Sequence, residues 1–140
     1  MKLTAKVTVN TPIKKVWELW ISPKHITQWN NMSAAWHNTR VENDARTGGQ
    51  FLFRMALKDG SLSFDHAGTY TTVTPHQLIA YTQTDGRQST ITFTGDSPVT
   101  ITETFEAEPS QPADMQLNFC QAILDNFKRY TEGENKPLEL

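Results

Sequence analysis

The feature that most restricts this chain is one amphipathic helix, read over Pro112 to Tyr130, that follows a long stretch read almost entirely as strand. Its apolar residues are Met115, Phe119, Ala122, Ile123, Phe127 and Tyr130, spaced 4, 3, 1, 4 and 3, which marks one face of a 3.6-residue period. A single long helix must then cover the inner face of a sheet far wider than itself. The sheet has to curl around it, and a curled sheet gripped by one helix tends to leave an internal cavity. That geometry predicts a holder of small molecules without naming the molecule.

The order of elements is read from periodicity and turn chemistry. Leu3, Ala5, Val7 and Val9 alternate with Thr4, Lys6 and Thr8, as in a half-buried strand. Thr11-Pro12 offers an N-cap and a proline at the first helical position, and Ile13, Val16, Trp17 and Trp20 stripe a short helix. Ser22-Pro23 repeats the start signal for a second short helix carrying Ile26 and Trp29, ended by Asn30-Asn31. The period then changes to two. Strands are predicted from Ala35 to Val41, from Phe51 to Leu57, from about Leu62 to Val73, and then over Leu78 to Thr84, Gln88 to Thr94 and Val99 to Ala107. Lys58-Asp59-Gly60-Ser61 is a hairpin signal, and Gly133 is expected as a left-handed C-cap. The expected architecture is α+β: a curved antiparallel sheet of six to seven strands, two short helices after the first strand, and a long C-terminal helix. Residues 1–133 read as one domain and residues 134–140 as a flexible tail.

Composition removes whole classes of function. At 140 residues the chain is one domain, and with 37% hydrophobic and 20% charged residues it reads as neither disordered nor membrane-embedded. Its net charge is −2 with no run of Lys or Arg longer than two, so a basic nucleic-acid surface is not expected. Cys120 is the only cysteine, which rules out an intramolecular disulfide and a thiolate metal site. His25, His37, His66 and His76 lack metal-ligand spacing; no metal and no cofactor are expected. The polar alternation at the N-terminus is unlike a signal peptide, and no apolar run could span a membrane, so the chain is expected in the cytoplasm.

At the level of local motifs, Thr11-Pro12 through Trp17 with Trp29-Asn30, Gly48-Gly49-Gln50-Phe51, Gly68-Thr69-Tyr70, and Gln121 through Phe127 occur in an order that resembles the helix-grip fold of the START-like (SRPBCC) superfamily. Within it the chain resembles the family of the heat shock protein 90 ATPase activator C-terminal domain. The resemblance covers nearly the whole chain. It implies a cavity between sheet and long helix that takes small, mostly apolar molecules; some superfamily members are cyclases or aromatases. It also raises a chaperone partner and a link to stress response. The activators that name the family carry an additional N-terminal domain, which this sequence does not contain, so a co-chaperone role is not the leading expectation.

Candidate ligand-binding residues are Phe51, Phe53, Met55, Phe64, Tyr70, Phe93, Phe119 and Ile123 for apolar walls, with His66 to orient polar ligand atoms. Glu103 alternates with Val99, Ile101 and Phe105, which aims it inward, while a bulge near the strand end would turn it to solvent. No catalytic motif is present. His66 and Glu103 are the candidates for proton transfer in a cyclase-type alternative, with Tyr81 able to add a phenol. The bland alternative is that His66 is a wall residue satisfied by hydrogen bonding. Trp36-His37 and Asn43-Asp44 form a rim at the cavity mouth or pack under the first helices. Arg87, in the Asp85-Gly86-Arg87 turn, pairs with an anionic ligand group or simply closes a hairpin. Cys120 reads as a small buried residue.

Overall fold

The computed structural model describes residues 1–134. Strand β1 (Lys2–Val9) is followed by helices α1 (Ile13–Ile21) and α2 (Pro23–Trp29). Six strands follow: β2 (Trp36–Asn43), β3 (Gln50–Leu57), β4 (Ser63–Thr74), β5 (Leu78–Gln83), β6 (Gln88–Gly95) and β7 (Val99–Glu106). Helix α3 (Ala113–Glu134) closes the chain. The strands form one antiparallel sheet in the order β1-β7-β6-β5-β4-β3-β2, so each strand after β2 pairs with its sequence neighbour and β1 closes against β7.

The expected α+β architecture is present, with two corrections in detail. Thr11 does not cap α1: Pro12 occupies the N-cap position, and the buried Thr11 hydroxyl has no hydrogen-bond partner. The orphan N–H of Ile13 donates instead to Asp96 Oδ1 at 2.9 Å, so the β6–β7 turn caps a helix distant in sequence. Gly133 does not end α3, which runs through it to Glu134. Residues 135–140, most of the expected tail, lie outside the described residues.

Helix α3 packs on the sheet with its closest backbone approach at the β1 edge. It also touches α2, while α2 rests against β2. The helices thus bridge the two edges of the sheet, and side chains stitch each junction. On the β1 side, the Gln121 amide accepts from Lys6 N–H at 3.4 Å and donates to Lys6 C=O at 3.0 Å, and Lys128 Nζ donates to Thr8 C=O at 2.6 Å. On the β2 side, Asn38 Nδ2 donates to Asn30 C=O at 2.7 Å and Asn43 Nδ2 to Ile21 C=O at 2.8 Å. Asn126 of α3 donates to Asn31 C=O at 2.6 Å.

One end of the groove so formed is filled by aromatic rings. Trp20 lies 4.8 Å from Trp29 and 4.9 Å from Phe127, centroid to centroid, and Phe93 sits edge-on to Trp17 at 5.3 Å and to Trp20 at 5.6 Å. The Trp29 indole donates to Leu19 C=O at 3.0 Å, which satisfies the one polar atom of that buried ring. Two glycines of the resemblance motifs have a steric reason. A Cβ on Gly49 would fall 2.0 Å from Asp44 C=O, and one on Gly68 would fall 2.4 Å from Thr82 C=O and 3.1 Å from the Phe51 ring.

Two substitutions separate the cap from the core. Phe127→Ala should lower unfolding free energy by about 3–5 kcal/mol, because the ring is fully buried in the aromatic cluster. Asp96→Ala should cost about 1 kcal/mol through the lost cap. Urea unfolding at fixed pH measures both, and an Asp96→Ala cost as large as that of Phe127→Ala would contradict this assignment.

Candidate functional site

Beyond the aromatic cluster, the groove between the concave sheet face and α3 stays open as a cavity of about 320 Å³. Strand β3 supplies Phe51, Phe53 and Met55, which alternate toward it; β4 supplies Phe64, His66 and Tyr70; α3 supplies Phe119, Cys120 and Ile123. Phe64 and Phe119 are nearly half exposed and mark the mouth. Of the wall residues expected from sequence, Phe93 alone lies elsewhere. Two positions along β6 from the lining residue Ile91, it has passed under Trp17 and Trp20 at the filled end.

The sheet lays a band of polar groups across this apolar surface. Tyr81 on β5 pairs with Ser89 on β6, and Glu103 on β7 stands opposite Ile91, two positions along β6 from Ser89. Glu103 faces the cavity. Burial raises its pKa, and the Cys120 thiol, donating to Oε2 at 3.3 Å, offsets only part of this. The Cys120 thiol is itself pushed up, first by burial and then by the neighbouring Glu103. A thiol held in its neutral form is a poor nucleophile.

His66 is enclosed by Phe51 at 5.2 Å, Phe53 at 6.0 Å and Tyr81 at 5.7 Å between ring centroids. Burial, followed by the charge of Arg87, lowers its pKa to about 4, so the imidazole is neutral at physiological pH. Its Nε2 lies 3.4 Å from the Tyr81 hydroxyl, a long contact that leaves both groups able to turn to another partner. The Tyr81 phenol is raised well above its usual range, chiefly by burial and next by Glu103. Ser89 Oγ, beside it, is buried without a hydrogen bond of good geometry. Tyr70 is different. Its hydroxyl donates to Asn43 Oδ1, so this ring contributes surface and no free polar group.

At the mouth, Arg87 is already committed: Nε donates to Asp85 Oδ2 at 2.7 Å and Nη2 to Gln83 Oε1 at 3.1 Å. Trp36 meets Phe64 edge-on at 5.6 Å and does not line the cavity, and Asn43 is occupied by Tyr70 and Ile21. Among the described residues no group of three His, Cys, Asp or Glu is placed to hold a metal ion. Several lining residues were not among the walls expected from sequence. Ile91 and Phe105 were accessible to period-two counting, since each alternates with a residue already assigned inward; Trp20, Trp29, Asn30 and Met32 reach the cavity through the packing of α1 and α2, for which the sequence carries no local signal.

Comparison with known proteins follows the same outline. The model of the family described as Activator of Hsp90 ATPase homolog 1-like protein matches residues 10–135. The solution structure of an AHSA1-like protein from Aeromonas hydrophila is 36% identical, with a TM-score of 0.90 over 100% of this chain and 98% of that one. A protein from Cytophaga hutchinsonii is 42% identical, with a TM-score of 0.82 over 99% of this chain and 97% of that one. A crystal structure from Chromobacterium violaceum shares the fold at 19% identity, with a TM-score of 0.83 over 92% of this chain and 96% of that one. No curated protein matches the chain.

The buried histidine has a pH signature. The unfolded imidazole titrates near 6.5 and the folded one at about 4, so the unfolded state binds more protons between those values. The His66 contribution to stability is complete above pH 6.5 and is lost as pH falls toward 4, amounting to about 3 kcal/mol. Raised Glu103 acts in the opposite direction, so the comparison must be made between wild type and His66→Phe, with Glu103 present in both. The variant should lose the acid-side slope, and ring-carbon NMR shifts of His66 in the wild type should stay those of a neutral imidazole down to pH 5. Titration of His66 near pH 6.5 in the folded protein would contradict the burial argument.

Proposed function

Because the chain belongs to the family of Activator of Hsp90 ATPase homolog 1-like proteins and has its helix-grip fold, we propose that it binds a small, largely apolar or aromatic ligand in the cavity between sheet and α3. One observation carries this reading. The same interior packs five aromatic rings tightly at one end and leaves about 320 Å³ open at the other, walled by Phe51, Phe53, Met55 and Ile123. A void of that size forfeits dispersion contacts that larger side chains would regain. Its volume is at the lower end of ligand sites, which run roughly 300–1,000 Å³. That size suits a molecule of a few rings better than a long lipid chain.

His66 and Glu103 would orient the polar atoms of such a ligand. A second reading, proton transfer of the cyclase type, draws on the same pair: a neutral imidazole as base and a carboxyl whose pKa burial raises as acid, both lining one cavity. It requires both groups to reach one ligand, and it would appear as turnover lost in both His66→Phe and Glu103→Gln. A chaperone-directed role draws on the family name. Among the exposed large apolar side chains, however, Phe64 and Phe119 belong to the cavity mouth, where they serve ligand entry. Among the described residues no helix is long and apolar enough to cross a membrane. The free thiol of Cys120 suits a reducing compartment, and we place the protein in the cytoplasm.

The test is amide shift mapping with aromatic and aliphatic probes on wild type and on Ile123→Trp. The indole would project from α3 into the open volume. Saturable shifts at Phe53, His66 and Phe119 in the wild type, weakened at least about tenfold in a folded Ile123→Trp, are expected. Equal binding by both proteins would place the ligand outside the cavity.

A further inference from the structure

The cavity carries one electrostatic imbalance. Glu103 sits mid-strand on β7, between Ala5 of β1 and Ile91 of β6, so neither neighbouring strand offers its carboxyl a polar side chain at that position. Its hydrogen-bond partner is the Cys120 thiol at 3.3 Å, a weak donor acting on Oε2. Among the described residues no lysine or arginine forms an ion pair with it. A carboxyl enclosed by protein ordinarily has cations or several N–H donors around it, and one without them is costly to bury.

The other ionisable groups of the cavity do not correct this. The Arg87 guanidinium pairs with Asp85 at 2.7 Å and Gln83 at 3.1 Å and forms no ion pair with Glu103. His66 is enclosed by aromatic rings and contributes no positive charge at neutral pH. The remaining walls are mostly aliphatic and aromatic. The donors that do line the cavity, among them the Tyr81 and Ser89 hydroxyls, form no hydrogen bond to the Glu103 carboxyl.

We infer that the ligand presents a hydrogen-bond donor, a hydroxyl, phenol or amine, to the Glu103 carboxyl, and that molecules with a carboxylate in that place are rejected. The inference rests on the ligand-binding reading above and narrows its ligand class. A donor would complete the half-satisfied carboxyl, and a protonated amine would also gain from the surrounding aromatic faces. A carboxylate would set a second anion beside the ionised form of Glu103, in a cavity that screens charge poorly. Fatty acids and aromatic acids would therefore bind more weakly than the corresponding alcohols, phenols or amines.

Four probes on one bicyclic frame test this: naphthalene, naphthol, naphthylmethylamine and naphthoate, titrated against the full chain at neutral pH and followed by amide shifts. Naphthol and naphthylmethylamine should bind at least about tenfold more tightly than naphthoate. Glu103→Gln, which replaces the charge with an amide that both donates and accepts, should remove most of that difference by raising the affinity for naphthoate, and should leave naphthalene unchanged. The ranking on the unaltered protein decides the matter even where the variant does not fold. Naphthoate binding as tightly as naphthol would overturn the donor requirement while leaving cavity binding in place. A preference that persists in folded Glu103→Gln would overturn Glu103 as its source. If none of the four shifts any cavity amide, the donor requirement and the binding reading both fall.

Discussion

The curl of the sheet is held at its edges by side-chain amides, and everything inside depends on that. An edge strand presents unpaired backbone N–H and C=O groups, a liability that folded proteins cover or blunt. Here Gln121 returns both a donor and an acceptor to Lys6 on β1, and Lys128 reaches Thr8. Asn38 and Asn43 do the corresponding work between β2 and the two short helices. Each bond contributes modestly, about 1 kcal/mol. Their effect is directional: they set where α3 and α2 stand relative to the sheet, which apolar contact alone would leave loose. With α3 tied to one edge and α2 to the other, the middle strands bow away from the helices, and the space under them is what the side chains must fill or leave open.

The two ends of that space are treated differently. At one end α1 and α2 deliver Trp17, Trp20 and Trp29 against Phe93 and Phe127. At the other, Ile79, Ile91 and Ile123 line a void with no counterpart ring to occupy it. The contrast makes the void a property of the design, because the chain has large residues and uses them elsewhere. The chemistry of the void is equally selective. Tyr70 spends its hydroxyl on Asn43, and Arg87 pairs with Asp85, while His66, Tyr81, Ser89 and Glu103 are polar groups of the lining with hydrogen-bonding capacity left.

Much of the frame was legible in the sequence because it is written in local periods. The 4-3-1-4-3 spacing gave α3, and strict alternation gave β1 and β3 with their inward residues, while for Glu103 on β7 it left the inward and outward placements open. What alternation reports is a face, and a face continues past the end of a cavity. That is why Phe93, on the correct face of β6, was assigned to a wall it does not form. The caps failed for a related reason. Thr11-Pro12 is a sound local start signal, yet the donor at Ile13 is met by Asp96 from a turn brought near only by the completed sheet. The same holds for Trp20, Trp29 and Met32, whose place in the lining is decided by how the helix pair docks.

Sequences that specify a fold satisfy packing, polar pairing and local propensity together, and departures tend to gather where function requires them. Here two departures of different kinds meet in one place. The packing rule is broken by an unfilled volume, and the pairing rule by a buried carboxyl whose partner is a thiol. Either alone has an ordinary explanation: a void can be imperfect packing, and a lone carboxyl can be tolerated in its neutral form. Their coincidence is harder to reach by chance, since the carboxyl faces the void and the void is walled by rings suited to an aromatic guest. One bound molecule with an apolar body and a donor group would repair both departures at once.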